Sequence, residues 1–85
     1  MADEVSFDVY VIDEDGSPFT GEEVTAFFTY ELWPSTHSIE YTDEEGHAHF
    51  SSRHPWTPLE VELNVRGEIR GKYPLEDGAG FTIEL

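Results

Sequence analysis

The chain has 85 residues, with 19 acidic and 4 basic side chains, no cysteine and a formal net charge of −15. This length predicts one domain over residues 1–85, and the lack of cysteine excludes disulfides and thiolate metal sites. Because the chain is so acidic, it repels phosphates and anionic lipids. Neither nucleic acid nor a membrane is therefore an expected partner.

The excess of acids has three possible sources: a solvated surface, adaptation to a salt-rich cytoplasm, or a surface that engages a basic partner. The charge alone does not choose among them. No apolar run reaches the roughly 18 residues of a membrane span, and residues 1–4 show no signal-peptide pattern. Cytoplasmic residence is therefore the expectation.

The first elements follow a period of two residues. Apolar side chains at the odd positions from Val5 to Val11 predict a strand with one buried side. Asp13-Glu14-Asp15-Gly16 predicts a turn, after which Pro18 ends the pairing. A second strand is predicted from Glu23 to Leu32, closed by Pro34.

The middle of the chain repeats this arrangement. A strand is predicted over 38–42 with Ile39 and Tyr41 pointing inward. Asp43-Glu44-Glu45-Gly46 then turns the chain into a strand over 47–51, with Ala48 and Phe50 inward. Two prolines in residues 54–58 predict a loop.

Alternation is clearest near the end of the chain. It predicts that Leu59, Val61, Leu63 and Val65 are all buried, and that Ile69, Tyr73 and Leu75 continue the pattern in the next strand. Gly71 takes an inward position in that strand, where we expect a bulge or a close approach. A last turn at 77–80 leads to a final strand containing Phe81, Ile83 and Leu85.

About seven strands at spacings of roughly 8 to 12 residues are typical of an all-β antiparallel sandwich, prealbumin-like or immunoglobulin-like. No segment carries an apolar stripe of helical period, so little helix is expected. The strands and turns together therefore predict the fold class but no reaction.

Two motifs carry a resemblance. Val-x-Asp-x-x-Gly-x-Pro-x-x-Gly-x-x-Val spans 11–24, and Thr-Asp-x-x-Gly-x-Ala-x-Phe spans 42–50. Together they resemble the prealbumin-like sandwiches, which include transthyretin-like domains, carboxypeptidase regulatory-like domains and bacterial immunoglobulin-like repeats. The resemblance covers residues 5–66 and implies a fold. It implies no single function, since members range from hormone carriers to adhesive stalks and accessory modules.

One enzyme of this group hydrolyses 5-hydroxyisourate. Its active site is implied by a histidine in the first strand, an arginine in a middle strand and a Tyr-Arg-Gly-Ser carboxyl terminus. This chain has no histidine before His37 and ends Phe81-Thr82-Ile83-Glu84-Leu85. It also has no nucleophile in a recognisable setting, so we expect no catalytic activity and no cofactor.

The histidines are the best candidates for chemistry. His47 and His49 lie two positions apart on a predicted strand, so their side chains should share the face opposite Ala48 and Phe50. They could bind Zn²⁺ or Cu²⁺ if His37, His54 or a nearby carboxylate supplied a third ligand. The alternative is two exposed polar residues beside an acidic turn.

Aromatic residues beside rigid loops are common binding anchors. The sequence thus predicts a non-catalytic binding or protein-interaction module. Its partner is unknown, and the acidic charge of the chain would favour a basic one. Its working surface would be an edge strand or the loops that carry Trp33, His37, His54 and Trp56. A metal-binding protein and an acidic inhibitor that mimics nucleic acid are the alternative functions.

Overall fold

A computed structural model describes residues 4–31, 34–53 and 59–85. Within these ranges the chain forms seven strands: β1 Glu4–Ile12, β2 Glu23–Thr29, β3 Thr36–Tyr41, β4 His47–Arg53, β5 Glu60–Val65, β6 Glu68–Pro74 and β7 Ala79–Glu84. None of the described residues is helical, and the described part of the chain therefore contains no helix that could cross a membrane.

The strands form two sheets. The small sheet has the order β4-β1-β7 and the large sheet the order β3-β2-β5-β6. Every pairing is antiparallel except that of β1 with β7, which is parallel. The predicted all-β sandwich of seven strands is therefore confirmed.

The core lies between the sheets and comes mainly from β1, β2 and β5. Phe7 is at its centre. Its ring stacks on Phe50 of the small sheet at 5.1 Å and meets Phe28 of the large sheet edge-on at 6.0 Å. The predicted inward residues of β1, from Val5 to Val11, are all buried. The remaining buried apolar residues are Val24, Ala26, Tyr30, Ala48, Val61, Leu63, Val65, Leu75 and Ile83.

The two acidic turns are structural twins. In the first, Asp13 Oδ1 accepts the backbone N–H groups of Asp15 and Ser17, both at 2.8 Å. In the second, Asp43 Oδ1 accepts those of Glu45 at 2.9 Å and His47 at 3.0 Å. A glycine with positive φ closes each turn, because the left-handed conformation costs glycine little. Both predicted turns are confirmed.

The twin turns pack near each other. The N–H of Val11 donates to the carbonyl of Gly46 at 2.8 Å. Thr42, which is buried, donates its hydroxyl to the Phe19 carbonyl at 2.5 Å and accepts the Glu22 N–H at 2.8 Å. Thr42 therefore fixes the connection between β1 and β2 to the end of β3.

The prediction for β3 was wrong about which face of the strand points to the core. Thr25 of β2 is paired with Ile39, and Glu23 is paired with Tyr41. Partners in an antiparallel ladder share a face, so Ile39 and Tyr41 point outward with Thr25 and are 45% and 63% exposed. Alternation alone does not say which of the two faces is the inside.

A bulge explains a second error. Leu63 pairs with Gly71, but Asn64 pairs with Ile69, which leaves Arg70 as an extra residue in β6. The bulge moves Ile69 to the outer face, where it is 67% exposed. The bulge and the close approach predicted at Gly71 are both present, since a Cβ there would collide with the ring of Tyr73.

Element ends differ slightly from the predictions. Leu59 precedes β5 instead of belonging to it and is 51% exposed, so the alternating run buries three residues and not four. β2 ends at Thr29, three positions before the predicted end. Leu32 and the predicted loop at 54–58 lie outside the described residues.

Candidate functional site

The outer face of the large sheet carries four of the six exposed large apolar side chains among the described residues. Two rows of paired residues cross it from β3 to β6. One row runs Ile39, Thr25, Asn64, Ile69, and the next runs His37, Phe27, Glu62, Lys72. Phe27 is 39% exposed, and Tyr41 lies one row beyond Ile39. We call the exposed members Phe27, Ile39 and Tyr41, together with Ile69 at the opposite edge of the sheet, the outer apolar patch.

A concavity of about 390 Å³ opens on this face. Its walls come from β2, β5 and the turn between β5 and β6: Glu22, Glu23, Thr25, Phe27, Asn64, Arg66 and Gly67. The outer apolar patch therefore adjoins a depression with an acidic side and one apolar wall, Phe27.

The turn beside the concavity is rigid. Arg66 and Gly67 have φ of 57° and 75°, as a two-residue type I′ hairpin requires. Arg66 donates from Nε and Nη2 to Glu22 Oε1 at 2.9 and 2.7 Å, and its guanidinium lies 4.8 Å from the centre of the Phe19 ring. The guanidinium is thus held to one side of the opening.

One polar group on this face lacks a partner. Asn64 Nδ2 is buried and makes no hydrogen bond with any described residue. An amide N–H₂ withdrawn from water without an acceptor costs about 1–3 kcal/mol. Asn64 also lines the concavity, but its Nδ2 has almost no exposed area, so an acceptor bound there would reach this donor only after the amide turns outward.

A second cluster lies on the outer face of the small sheet. Asp8 of β1 is paired with His49 of β4, and Tyr10 is paired with His47. Asp8 Oδ1 lies 2.6 Å from His47 Nε2 and 2.8 Å from His49 Nδ1. One ligand atom from each of the three side chains lies within 4.8 Å of the other two. The sequence prediction that His47 and His49 share a face is confirmed.

The electrostatics of this cluster are coupled. Hydrogen bonds from His49 and His47 hold the pKa of Asp8 below its usual value of 3.8. The hydrogen bond to Asp8, aided by the charges of Asp8 and Asp43, raises the pKa of His47 above 6.5. Backbone N–H groups of His47 and Glu45 lower the pKa of Asp43. Each effect favours the charged form of the group.

The ring of His47 is positioned from both ends. Nε2 faces Asp8, while Nδ1 lies 3.6 Å from Asp43 Oδ2. The ring of Tyr10 stacks on the imidazole with centroids 5.0 Å apart and an angle of 22° between the planes. His47 is therefore the best fixed member of the cluster, and its side chain is 27% exposed.

The other predicted site residues are not all placed. Trp33, His54 and Trp56 lie outside the described residues. His37 is on β3 in the large sheet, with its ring 5.8 Å from that of Phe27. It therefore belongs to the outer face of the large sheet and not to the cluster of His47 and His49.

Sequence reasoning missed Asp8, Asn64 and the outer apolar patch. Asp8 occupies an even, outward position of β1, which the alternation does reveal, but its pairing with His49 depends on register between strands 41 residues apart. Asn64 occupies an outward polar position in the alternation of β5, as an ordinary polar residue would. Neither position carries a local signal of its role.

The sandwich is similar to part of a solved structure described as the Bacillus anthracis TIE protein. The similarity covers 96% of this chain and 16% of that chain, with a TM-score of 0.57 and 16% sequence identity. At this identity it shows the fold alone. No family model and no curated protein matches the chain.

Proposed function

We propose that this chain is a non-catalytic binding module that holds a protein partner on the outer face of its large sheet. The observation that carries the proposal is the concavity beside the outer apolar patch, with the unpartnered Asn64 amide on its wall. Exposed clusters of aromatic and aliphatic side chains mark interaction surfaces more often than isolated ones do.

The patch combines features that favour binding. Phe27 and Tyr41 offer large side chains with few rotatable bonds, which lose little entropy when they are covered. Tyr41 is further held by a hydrogen bond of 3.3 Å from its hydroxyl to Glu23. Asn64 holds a donor beneath this surface, so a backbone carbonyl of a partner would satisfy a group that folding leaves unpaired once the amide turns toward the concavity.

Charge supports a basic partner. The same face carries Glu23, Glu60 and Glu62, and of these Glu60 is paired with Lys72 at 3.2 Å. The whole chain has a net charge of −15, which attracts cationic segments over long range at low salt. A basic segment with one or two aliphatic or aromatic side chains would match both the glutamates of this face and the outer apolar patch.

The test is selection of peptides from a random displayed library, carried out in EDTA, followed by affinity measurement on variants. We expect selected peptides to be rich in lysine or arginine and to contain an apolar anchor. Phe27→Ser should weaken their binding by about tenfold or more, the effect of losing a contact worth over ~1.4 kcal/mol. Asn64→Leu should also weaken it while leaving the fold intact.

Tyr10→Ser is the matched control, because Tyr10 is 40% exposed and Phe27 is 39% exposed but they lie on different sheets. Peptides whose affinity is unchanged by Phe27→Ser, or reduced as much by Tyr10→Ser, would place the binding surface elsewhere. Selection of acidic or purely polar peptides would contradict the proposed partner chemistry.

We also propose that the sandwich is prealbumin-like. The support is the seven-strand arrangement in two sheets together with the twin turns, which contain the residues of the two motifs. A sensitive profile comparison of the regions 11–24 and 42–50 with members of that group tests this relationship. Alignment of both glycines and both aspartates at equivalent turns is the expected result.

A further inference from the structure

We propose that Asp8, His47 and His49 bind one divalent transition-metal ion, Zn²⁺ by preference, on the outer face of the small sheet. The site is separate from the outer apolar patch and does not depend on it. One carboxylate and two imidazoles are a usual ligand set for zinc, and water would fill the fourth position.

The distances fit a site that needs little rearrangement. Tetrahedral zinc with bonds of about 2.0–2.2 Å places ligand atoms roughly 3.3 Å apart. Asp8 Oδ1 is at 2.6 Å from His47 Nε2 and 2.8 Å from His49 Nδ1, separations set by hydrogen bonds that a metal would replace. No ligand atom is more than 4.8 Å from another, so small side-chain rotations close the set.

Asp43 is an independent feature that points to metal binding. A histidine that ligates a metal usually donates its other ring N–H to a carboxylate, which fixes the tautomer and strengthens the ligand. With His47 Nε2 on the metal, Nδ1 would carry the proton and face Asp43 Oδ2; the two atoms are 3.6 Å apart, so a small shift of the ring would be needed to form this hydrogen bond. Asp43 itself is fixed by two backbone N–H groups of its turn.

The ligands also stand on rigid elements. Asp8 and His49 are cross-strand partners within the continuous β1–β4 ladder, and His47 begins β4 directly after the second turn. Tyr10 stacks on the His47 ring and limits its rotation. Sites on paired strands keep their geometry better than sites on loops.

The chemistry of the donors selects the class of metal. Imidazole nitrogen suits Zn²⁺, Cu²⁺ and Ni²⁺, whereas Ca²⁺ and Mg²⁺ prefer oxygen ligands. Cu²⁺ generally binds such ligands more tightly than Zn²⁺, so the choice of zinc as the bound ion rests on metal availability. Calcium and magnesium therefore serve as negative controls in the test.

The test is calorimetric titration of the EDTA-treated, dialysed protein with ZnCl₂, CaCl₂ and MgCl₂ at neutral pH. We expect one zinc per chain, with no competition from calcium or magnesium at equal concentration. Asp8→Asn, His47→Gln and His49→Gln should each weaken zinc binding by more than about tenfold. His37→Gln, on the other sheet, should leave the affinity unchanged.

A second pair of variants isolates Asp43. Asp43→Asn keeps the Oδ1 acceptor of the turn but replaces the oxygen that faces His47, so zinc affinity should fall by about tenfold. Asp13→Asn makes the same change in the twin turn and should have no effect. Melting of every variant in EDTA confirms that it is folded, and NMR shifts of the imidazoles in the wild type identify the ligands.

Any of three results would overturn the proposal. The first is zinc binding that survives His49→Gln, a replacement of a side chain that is 56% exposed. The second is an equal loss in His37→Gln. The third is a wild-type titration in which the imidazoles of His47 and His49 shift no more than that of His37.

Discussion

Gly46 lies directly against Pro18. A Cβ built on Gly46 would stand 2.9 Å from the Cβ of Pro18 and 2.6 Å from the carbonyl oxygen of Val11. Gly46 closes the second of the twin turns, and Pro18 follows the first. The second turn therefore needs glycine for two reasons, a positive φ and a lack of space.

This relationship gives a comparison between the twin turns. Gly16→Ala, where no atom lies within 4 Å of the new Cβ, should cost only the left-handed conformation, about 1–2 kcal/mol. Gly46→Ala adds the collision and should cost at least about 1 kcal/mol more. Urea unfolding of both variants measures the difference. Equal losses would mean that the contact between the turns relaxes freely.

Thr42 should be sensitive to loss of its hydroxyl. Thr42→Val keeps the shape but leaves the Glu22 N–H and the Phe19 carbonyl without the hydroxyl that joins them, which should lower the free energy of unfolding by about 1–3 kcal/mol. Thr25→Val on the outer face of the large sheet is the control and should change it by no more than about 0.5 kcal/mol. Equal effects at the two sites would contradict the bridging role of Thr42.

The metal-free protein should lose stability as the pH rises above 6.5 and through the folded pKa of His47. The pKa of His47 is higher in the folded chain than its ordinary 6.5, so the folded state binds more protons from pH 6.5 up to the folded pKa. The stabilisation is complete below 6.5 and is lost as pH rises through the folded pKa. Chemical unfolding in EDTA at a series of pH values measures it.

Asp8→Asn separates this effect from others, because it removes the main cause of the raised His47 pKa. Its stability should depend less on pH above 6.5 than that of the wild type, while His37→Gln should keep the wild-type slope. At the acid end, the lowered pKa values of Asp8 and Asp43 stabilise the fold above 3.8, and this is lost as pH falls through their folded values. A wild-type slope in Asp8→Asn would contradict the assignment.

Salt should stabilise the fold. With a net charge of −15, repulsion among carboxylates weakens as the Debye length falls from about 30 Å at ~10 mM to below about 8 Å at ~0.5 M. The melting temperature in potassium chloride should rise over that range. Glu14→Gln with Glu44→Gln, at equivalent positions of the twin turns, should reduce the rise. A flat or falling melting temperature would show that lost ion pairs outweigh the screening.

The strands and turns could be predicted because their signals are local. Alternation in β1 and the acid-glycine turns at Gly16 and Gly46 depend on neighbours within a few residues. Both were placed correctly. What alternation does not contain is which side of a strand faces the core. For β3, whose inner positions include Ser38 and Glu40, the apolar side faces out.

The candidate sites divide in the same way. His47 and His49 were predicted to share a face because they lie on one strand. Asp8 joins them only through the β1–β4 ladder, and a register shifted by one residue would turn its side chain to the other face. Asn64 and the outer apolar patch depend on a bulge and on sheet order, which no short stretch of sequence encodes.

The parallel pairing of β1 with β7 has a kinetic consequence. β1 is the central strand of the small sheet, and its parallel neighbour β7 is separated from it by most of the chain. Folds dominated by such distant pairings form in roughly milliseconds to seconds, because a long loop must close, at a cost in entropy, before the stabilising contacts can form. At synthesis rates of about 5–20 residues per second, β7 is made several seconds after β1, and during that time β1 lacks one of its two neighbours in the sheet.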